Sequence, residues 1–151
     1  MATTLGEFVG KLNQDLANEY KHWNFYIQAM TNVQGLHREE IGEFLKKEAA
    51  GEMLHIEEFK RVIIGLGGKP TTNAAPFAHD LVTPKEILEY ALVMEDEVVW
   101  NYVHRIDDAV MLQENGGIDK VHGKYVELFL EDQILDSRND ADHIREMLKG
   151  M

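Results

Sequence analysis

The sequence contains no cysteine, only three prolines and no long uninterrupted hydrophobic run among its 151 residues. Without thiols there is no disulfide framework, no thiolate zinc site and no cysteine nucleophile, so a bound metal must be held by oxygen and nitrogen. No stretch approaches the roughly 18 consecutive apolar residues of a membrane-spanning helix, and the amino terminus lacks the pattern of a secretory signal. We therefore expect a soluble, cytoplasmic protein.

Basic residues are also scarce, since 15 lysines and arginines stand against 27 aspartates and glutamates, a formal net charge of −12. A nucleic-acid-binding protein needs a basic face to meet the phosphates, so this composition argues against such a partner. The length of 151 residues is enough for one sizeable core and short for two. We expect a single domain over residues 1–151, with no nucleic-acid or membrane partner.

Most of the chain has the hydrophobic period of amphipathic helices, and almost none has the alternation of a strand. Two helix starts carry capping signals, Thr4 followed by Glu7 and the stretch Thr83-Pro84-Lys85-Glu86. The predicted helices run from Thr4 to about Thr31, from about His37 to Ile64, from Thr83 to about Gln113 and from about Asp119 to Leu148. The turn-rich segment 67–83 between the second and third helices is long enough to cross the molecule. The predicted fold is all-α, two antiparallel hairpins joined by a long crossover.

A glutamate and a histidine, Glu52 and His55, lie three residues apart on the apolar face of the second helix. An unpaired charged carboxylate there would cost several kcal/mol, so a shared metal ion is its simplest partner. One such pair is common by chance and needs matching carboxylates elsewhere. Glu19 and Glu95 supply them on the apolar faces of the first and third helices. The Gly35 turn lies midway between Glu19 and Glu52, which places these two at one height in an antiparallel hairpin.

The fourth helix offers two candidate carboxylates, Glu131 and Asp140. The sequence midpoint between Glu95 and Asp140 falls at the Gly116-Gly117 turn, whereas the midpoint between Glu95 and Glu131 falls before it. Asp140 also has His143 three residues later, which repeats the spacing of the pair on the second helix. We therefore predict Asp140 and His143 as the contribution of the fourth helix.

This pattern, one glutamate on helices one and three and an acidic residue followed by histidine on helices two and four, resembles the ferritin-like di-iron carboxylate proteins, bacterioferritin most closely. The resemblance extends from about Glu7 to Met147 and implies a ferritin-like four-helix bundle. The ligands that it implies for a di-iron centre are Glu19, Glu52, His55, Glu95, Asp140 and His143. Asp140 departs from the pattern, because the family usually has the longer glutamate there. His22 is interpreted as a flank residue near a subunit contact.

Two further positions are similar to functional positions of bacterioferritin. Tyr26 matches the tyrosine beside the di-iron site that can supply an electron, so the resemblance gives it a catalytic role. Met53 matches the methionine that ligates a haem across a two-fold dimer interface, which implies haem b as a possible second cofactor. Tyr102 is expected to support the metal ligands without binding the metal itself.

The resemblance implies a ferroxidase that oxidises Fe(II) with O2 or H2O2 and stores ferric mineral in a hollow homo-oligomeric shell of 12 or 24 subunits. One alternative is a Dps-like mini-ferritin that chiefly consumes peroxide in oxidative stress. Another is a di-iron oxygenase acting on an organic substrate, which would need an apolar cavity beside the metals. A catalytically silent structural bundle is the third alternative.

Overall fold

The computed structural model describes residues 4–151, and four long helices make up most of this part of the chain. They are α1 (Leu5–Asn32), α2 (Arg38–Gly65), α3 (Pro84–Glu114) and α4 (Lys120–Leu148). The all-α prediction is confirmed, and each predicted bound lies within one residue of the observed helix end. None of these helices is long and apolar enough to cross a membrane.

The helix ends follow the local capping chemistry that the sequence indicates. Side-chain oxygens accept a backbone N–H three residues later at three starts: Thr4 from Glu7 (3.1 Å), Thr83 from Glu86 (3.2 Å) and Asp119 from His122 (2.9 Å). The end of α2 relies on Gly67, whose φ of 83° is a left-handed conformation that glycine adopts without steric cost. The next N–H, of Gly68, then donates to the Ile63 carbonyl at 2.9 Å.

The segment 66–83 crosses the molecule alongside α1 and fixes the topology. Near its beginning, the Asn13 amide donates to the Lys69 carbonyl at 3.0 Å, and near its end the Asn32 amide donates to the His79 carbonyl at 3.1 Å. The segment therefore follows α1 for most of its length and returns the chain to the end where α2 began. As a result α2 and α3 run parallel, each packed against its antiparallel hairpin partner, and α1 also packs on α3.

The interior consists of two apolar halves, one toward each end of the bundle. The first half includes Phe8, Leu12, Leu16, Phe59, Ile63, Tyr102, Leu112, Val126 and Leu130. The second half includes Phe25, Tyr26, Ala29, Leu45, Ile87, Leu88, Ala91, Met94 and Ile144. Between the two halves, buried polar side chains from three helices face one another, and this polar layer is the candidate functional site.

Candidate metal centre

Five ionisable side chains with 5% or less of their surface exposed form the polar layer. They are Glu19 and His22 on α1, Glu52 and His55 on α2, and Glu95 on α3. The three-residue spacing within α1 and within α2 places each glutamate and its histidine on one helix face, directed at the bundle interior. Burial of so many charged groups together is costly unless they share a counter-ion or protons.

Three of these residues form what we term the histidine group: Glu19, His22 and Glu52, each with a ligand atom within 4.8 Å of the others'. His55 lies beside this group, because its Nδ1 atom is 3.4 Å from Glu52 Oε2 and 3.6 Å from Glu19 Oε2. Two imidazoles and two carboxylates therefore converge in the buried interior. This mixed oxygen and nitrogen donor set suits Fe(II) and other divalent transition metals.

A second set, which we term the carboxylate group, consists of Glu48, Glu52, Glu95 and Asp140, again with ligand atoms within 4.8 Å of one another. Glu52 belongs to both groups and so joins them. Glu95 is fully buried, whereas Glu48 and Asp140 are only partly buried. The two groups together extend from the interior of the bundle to the surface between α2 and α4.

Several atoms in the polar layer have no hydrogen-bond partner although they are buried. Five such atoms belong to the layer: Glu19 Oε2, His22 Nδ1, Glu52 Oε2, His55 Nδ1 and Glu95 Oε2. Native proteins rarely leave buried polar atoms unsatisfied, because each costs about 1–3 kcal/mol. A set of unpaired lone pairs on carboxylates and imidazoles facing one another is what a metal site looks like in the absence of its ion. The residues present therefore fit a bound divalent metal.

Two buried tyrosines hold the outer carboxylates of the layer in a crossed arrangement. Tyr26 Oη on α1 donates to Glu95 Oε1 on α3 at 2.7 Å, and Tyr102 Oη on α3 donates to Glu19 Oε1 on α1. Each tyrosine stands seven residues, two helical turns, after a glutamate of its own helix. Burial, followed by the charge of the neighbouring carboxylates, raises the pKa of both phenols well above the usual value. Both remain protonated donors at neutral pH.

Proton affinity across the site is strongly perturbed in the absence of metal. Burial and the Glu52 charge raise the pKa of Glu19 to about 7, and burial together with Asp140 raises the pKa of Glu48 to about 9. Burial alone would lower the pKa of His55, but Glu19 and Glu52 outweigh it and raise that pKa to about 12. Burial alone would raise the pKa of Glu52, but the nearby Glu19, His22 and His55 side chains outweigh it and lower that pKa. Metal binding would displace the protons held here.

A cleft of about 200 Å³ between α2 and α4 leads to the site. Its walls are polar and include Lys47, Glu48, Asp136, Asn139 and Asp140, with Glu52 and His55 at its base. Asp136 lies 3.2 Å from His55 Nε2, so it holds the outer nitrogen of this imidazole while Nδ1 faces the carboxylates. The cleft has the size and charge to admit small ions.

A buried ion network supports the other side of the polar layer. Arg105 Nε and Nη2 donate to both oxygens of Asp15 at 2.7 and 3.1 Å, and Nη1 donates to Asp108 at 2.8 Å. Asp15 lies one turn before Glu19, and Arg105 lies one turn after Tyr102. Burial, partly offset by Arg105, raises the pKa of Asp15 to about 6. The network thus ties α1 to α3 next to the histidine group.

The structure brings together most of the predicted site residues. Glu19, Glu52, His55 and Glu95 meet in the polar layer, and Asp140 reaches it from the surface as part of the carboxylate group. The alternative on α4, Glu131, is exposed.

The remaining predicted residues have mixed positions. His143 lies outside both groups. It is exposed, and its ring lies 5.4 Å from that of Phe44. Tyr26 is fully buried and bonded to Glu95, whereas Met53 is 59% exposed on the surface of α2.

Two residues of the groups, His22 and Glu48, differ from the sequence-based prediction. The interpretation of His22 as a flank residue is wrong, because it is 1% exposed and its Nδ1 lies 3.3 Å from Glu95 Oε1. Its position three residues after Glu19 repeats the Glu52 and His55 spacing, and this was the available signal. Glu48, one turn before Glu52, is not among the predicted ligands, and its place on the same helix face is the one sequence signal for it.

Comparison with known proteins agrees with this architecture. Residues 9–149 match the family model of the ferritin-like domain. A ferritin-like diiron-carboxylate protein from Bacillus anthracis str. Ames is 29% identical, with a TM-score of 0.82 and coverage of 98% of this chain and 99% of that chain. A comparison with curated proteins finds no match.

More distant solved structures share the fold. A DPS protein from Vibrio cholerae O1 is 14% identical with a TM-score of 0.83, and 98% of each chain is covered. Rhodobacter capsulatus bacterioferritin, described with a metal-free dinuclear site and haem iron, is 17% identical with a TM-score of 0.74, covering 95% of this chain and 84% of that chain. Because the ferritin-like match spans nearly all of the sequence, the chain belongs to the ferritin-like family.

Proposed function

We propose that this protein is a ferroxidase that binds two Fe(II) ions in the polar layer and oxidises them with O2 or H2O2. The observation that carries the proposal is the set of buried, unpartnered carboxylate and imidazole atoms that face one another in the layer. Iron supplies the electrons of the reaction. Two Fe(II) ions give two electrons to one H2O2, which takes up two protons and leaves as two molecules of water.

The side chains of the chain have separate tasks in this reaction. Glu52 belongs to both groups and would hold iron in each, together with Glu19 in the histidine group and Glu95 in the carboxylate group. The crossed tyrosines donate to these outer carboxylates and so fix their orientation. Protons that the site holds in the absence of metal leave when iron binds, since carboxylate and imidazole ligands must be deprotonated.

Tyr26 remains the predicted electron donor. It is buried and hydrogen-bonded to Glu95, one of the carboxylates that would hold iron. An electron drawn from it would leave a tyrosyl radical. Electron paramagnetic resonance of rapidly frozen samples would detect this radical in the original protein and lose it in Tyr26→Phe.

The polar lining of the cleft favours small substrates and argues against the alternative of a di-iron oxygenase. An organic substrate would need an apolar cavity beside the metals, whereas Lys47, Asp136 and Asn139 line the cleft at this site. Fe(II), O2 and H2O2 are small enough to pass. The ratio of oxidation rates with H2O2 and O2 decides between a peroxide-consuming mini-ferritin and an oxygen-using storage protein.

Storage and haem binding belong to the same proposal. The family relationship supports assembly into a hollow homo-oligomer of 12 or 24 subunits, which light scattering of the purified protein would measure. Haem b between two copies would use Met53, which is 59% exposed and adjacent to Leu54, itself 53% exposed. A Soret band that disappears in Met53→Leu would establish this ligand.

The central test is anaerobic titration of the apoprotein with Fe(II), followed by O2 or H2O2, with ferric absorbance as the readout. We expect saturation near two iron ions per chain, rapid oxidation, and loss of both in Glu52→Ala and His55→Ala. Glu131→Ala, which removes an exposed glutamate of α4, serves as the matched control and should behave like the original protein. Absence of stoichiometric binding would leave the structural bundle as the better account. The substitution His143→Ala determines whether this exposed histidine contributes.

A further inference from the structure

Tyr26 and Tyr102 occupy equivalent places on opposite sides of the polar layer. Each is fully buried, Tyr102 in the first apolar half of the interior and Tyr26 in the second. Tyr102 donates to Glu19 Oε1, and Tyr26 donates to Glu95 Oε1. The other oxygen of each carboxylate, Oε2, is buried without a hydrogen-bond partner. Each outer carboxylate therefore holds a phenol with one oxygen and has the other available for a metal ion.

Packing alone does not account for the two hydroxyl groups. The ring of Tyr102 packs on Phe59, and the ring of Tyr26 packs on Phe25, in both cases with ring centroids 5.6 Å apart. Phenylalanine would supply the same two rings without placing a polar group in an apolar interior. Orientation of the carboxylates is one use of the hydroxyl groups, and the chemistry of the phenol permits a second use.

The electron count of the proposed reaction indicates what this second use is. Reduction of one O2 to two molecules of water takes four electrons and four protons, whereas two Fe(II) ions supply only two electrons. With iron as the sole donor, the reduction therefore ends at H2O2. A phenol, unlike a carboxylate or an imidazole, is readily oxidised, and it gives up one electron and one proton.

We propose that Tyr102 is a second redox-active tyrosine of the site, and that Tyr26 and Tyr102 each give one electron to O2 while two Fe(II) ions give the other two. Each phenol passes its O–H proton along the existing hydrogen bond to its carboxylate and becomes a neutral tyrosyl radical. These two protons and two from solvent complete the two molecules of water. Two further Fe(II) ions, with two protons, return both radicals to phenols. The inference rests on the proposed function, and it adds Tyr102 as an electron donor and water as the product.

The test mixes the anaerobic full-length protein, loaded with two Fe(II) ions per chain, with excess O2. Electron paramagnetic resonance of rapidly frozen samples follows the tyrosyl radicals, and a peroxidase assay measures the H2O2 released. The protein concentration is set well above the dissociation constant for Fe(II), so that every variant binds both ions. In the original protein we expect two radical signals, which differ in the splitting from their β-methylene protons, and almost no H2O2.

The variants assign each signal to its tyrosine. Tyr26→Phe should lose the signal of Tyr26 and keep that of Tyr102, and Tyr102→Phe should do the reverse. The double substitution should lose both signals and release H2O2 in an amount equal to the O2 consumed. Tyr125→Phe, which removes the same hydroxyl group from an exposed tyrosine of α4, is the matched control and should behave like the original protein.

The inference is overturned if Tyr26→Phe abolishes every tyrosyl signal, or if the original protein releases as much H2O2 as the double variant. A Tyr102 that only orients Glu19 would give these results, because loss of its hydrogen bond changes iron affinity without changing the radical or the product. Circular dichroism checks the folding of each variant, and if one does not fold, the signals and the H2O2 yield of the original protein decide.

Failure of the proposed function would look different. An original protein that binds no Fe(II), or does not oxidise it, would lose the ferroxidase role and this inference together. Rapid Fe(II) oxidation with the Tyr26 signal alone would retain the ferroxidase role and remove Tyr102 as an electron donor.

Discussion

The histidine group and the carboxylate group share Glu52 but are built in opposite ways. The histidine group lies deep between α1, α2 and α3, with Tyr102 and the Arg105 ion network behind it. The carboxylate group reaches the surface, and its outer members, Glu48 and Asp140, face solvent across the cleft. Burial therefore surrounds the histidine group with packed side chains and leaves the outer members of the carboxylate group in contact with solvent.

Packing between the helices accounts for this difference. Helix α1 packs on both α2 and α3, and the crossed tyrosine bonds add polar contacts between α1 and α3. Helices α2 and α4 instead face each other across the cleft, where charged side chains replace apolar ones. A side chain between α1 and α3 is held by its packed neighbours, whereas a side chain that lines the cleft between α2 and α4 can move.

The largest effect is expected from Glu52→Ala, because it removes the residue common to both groups. We predict that the affinity of the apoprotein for Co²⁺ falls by more than about 100-fold, since even residues that only support a ligand typically cost 10–100-fold in metal affinity. Calorimetric titration of the apoprotein measures this. Retention of the original Co²⁺ affinity would show that metal binding does not depend on this shared carboxylate.

Arg105→Met should remove the support behind the histidine group. Asp15 would then be a buried carboxylate without its counter-charge, so we expect the free energy of unfolding to fall by about 3–5 kcal/mol in urea denaturation. The matched control is Arg145→Met, which breaks a surface ion pair with Asp96 and should cost about 1 kcal/mol or less. Equal losses in the two variants would mean that the buried network gives no special stability.

The stability of the apoprotein should depend on pH through both groups. Glu19, with its pKa raised to about 7, and Glu48, with its pKa raised to about 9, hold protons in the folded state that the unfolded chain releases. The folded state therefore binds more protons, and the free energy of unfolding should fall as pH rises from about 4.5 to about 9. His55, with its pKa raised to about 12, adds a decline of the same sign above about pH 6.5.

Urea denaturation in the presence of a chelator, repeated across this pH range, measures the dependence. Glu48→Gln should make the decline shallower over the whole range from about pH 4.5 to pH 9, and the part that remains from Glu19 should end near pH 7. A profile that Glu48→Gln does not alter would contradict the raised pKa of this residue.

The smallest effects are expected from removing the tyrosine hydroxyls one at a time. Tyr102→Phe removes the bond to Glu19 and Tyr26→Phe removes the bond to Glu95, so each should weaken the binding of Co²⁺ to the apoprotein. About tenfold is expected in each case, the lower end of what support residues contribute. An unchanged Co²⁺ affinity in both variants would mean that the tyrosine bonds contribute nothing to metal binding.

Much of this architecture could be predicted because it depends on local sequence. Helix bounds follow from apolar periodicity and from caps such as Thr4 and Thr83, which act within a few residues. The heights of Glu19 and Glu52 follow from the position of the Gly35 turn, since two antiparallel helices of equal rise must meet at matching distances from it. The same reasoning predicts Asp140 rather than Glu131, and Asp140 lies in the carboxylate group.

The positions of the histidines could not be predicted in the same way. His22 and His143 both stand three residues after an acidic residue, yet one is buried and the other is exposed against Phe44. The difference depends on the rotation of α1 and α4 about their axes, which is set by packing against the whole bundle. Sequence spacing determines which residues share a helix face. It does not determine the rotation of the helix about its axis, and that rotation decides which face is buried.

The sequence by itself determined the four helices, their hairpin order and a buried carboxylate on each of the first three, because helix period and turn chemistry are local. The tertiary structure alone decided that the second imidazole comes from α1, that Glu48 joins the site and that the α2–α4 side remains open. These features depend on how closely each pair of helices approaches, and that distance results from the packing of all the side chains together.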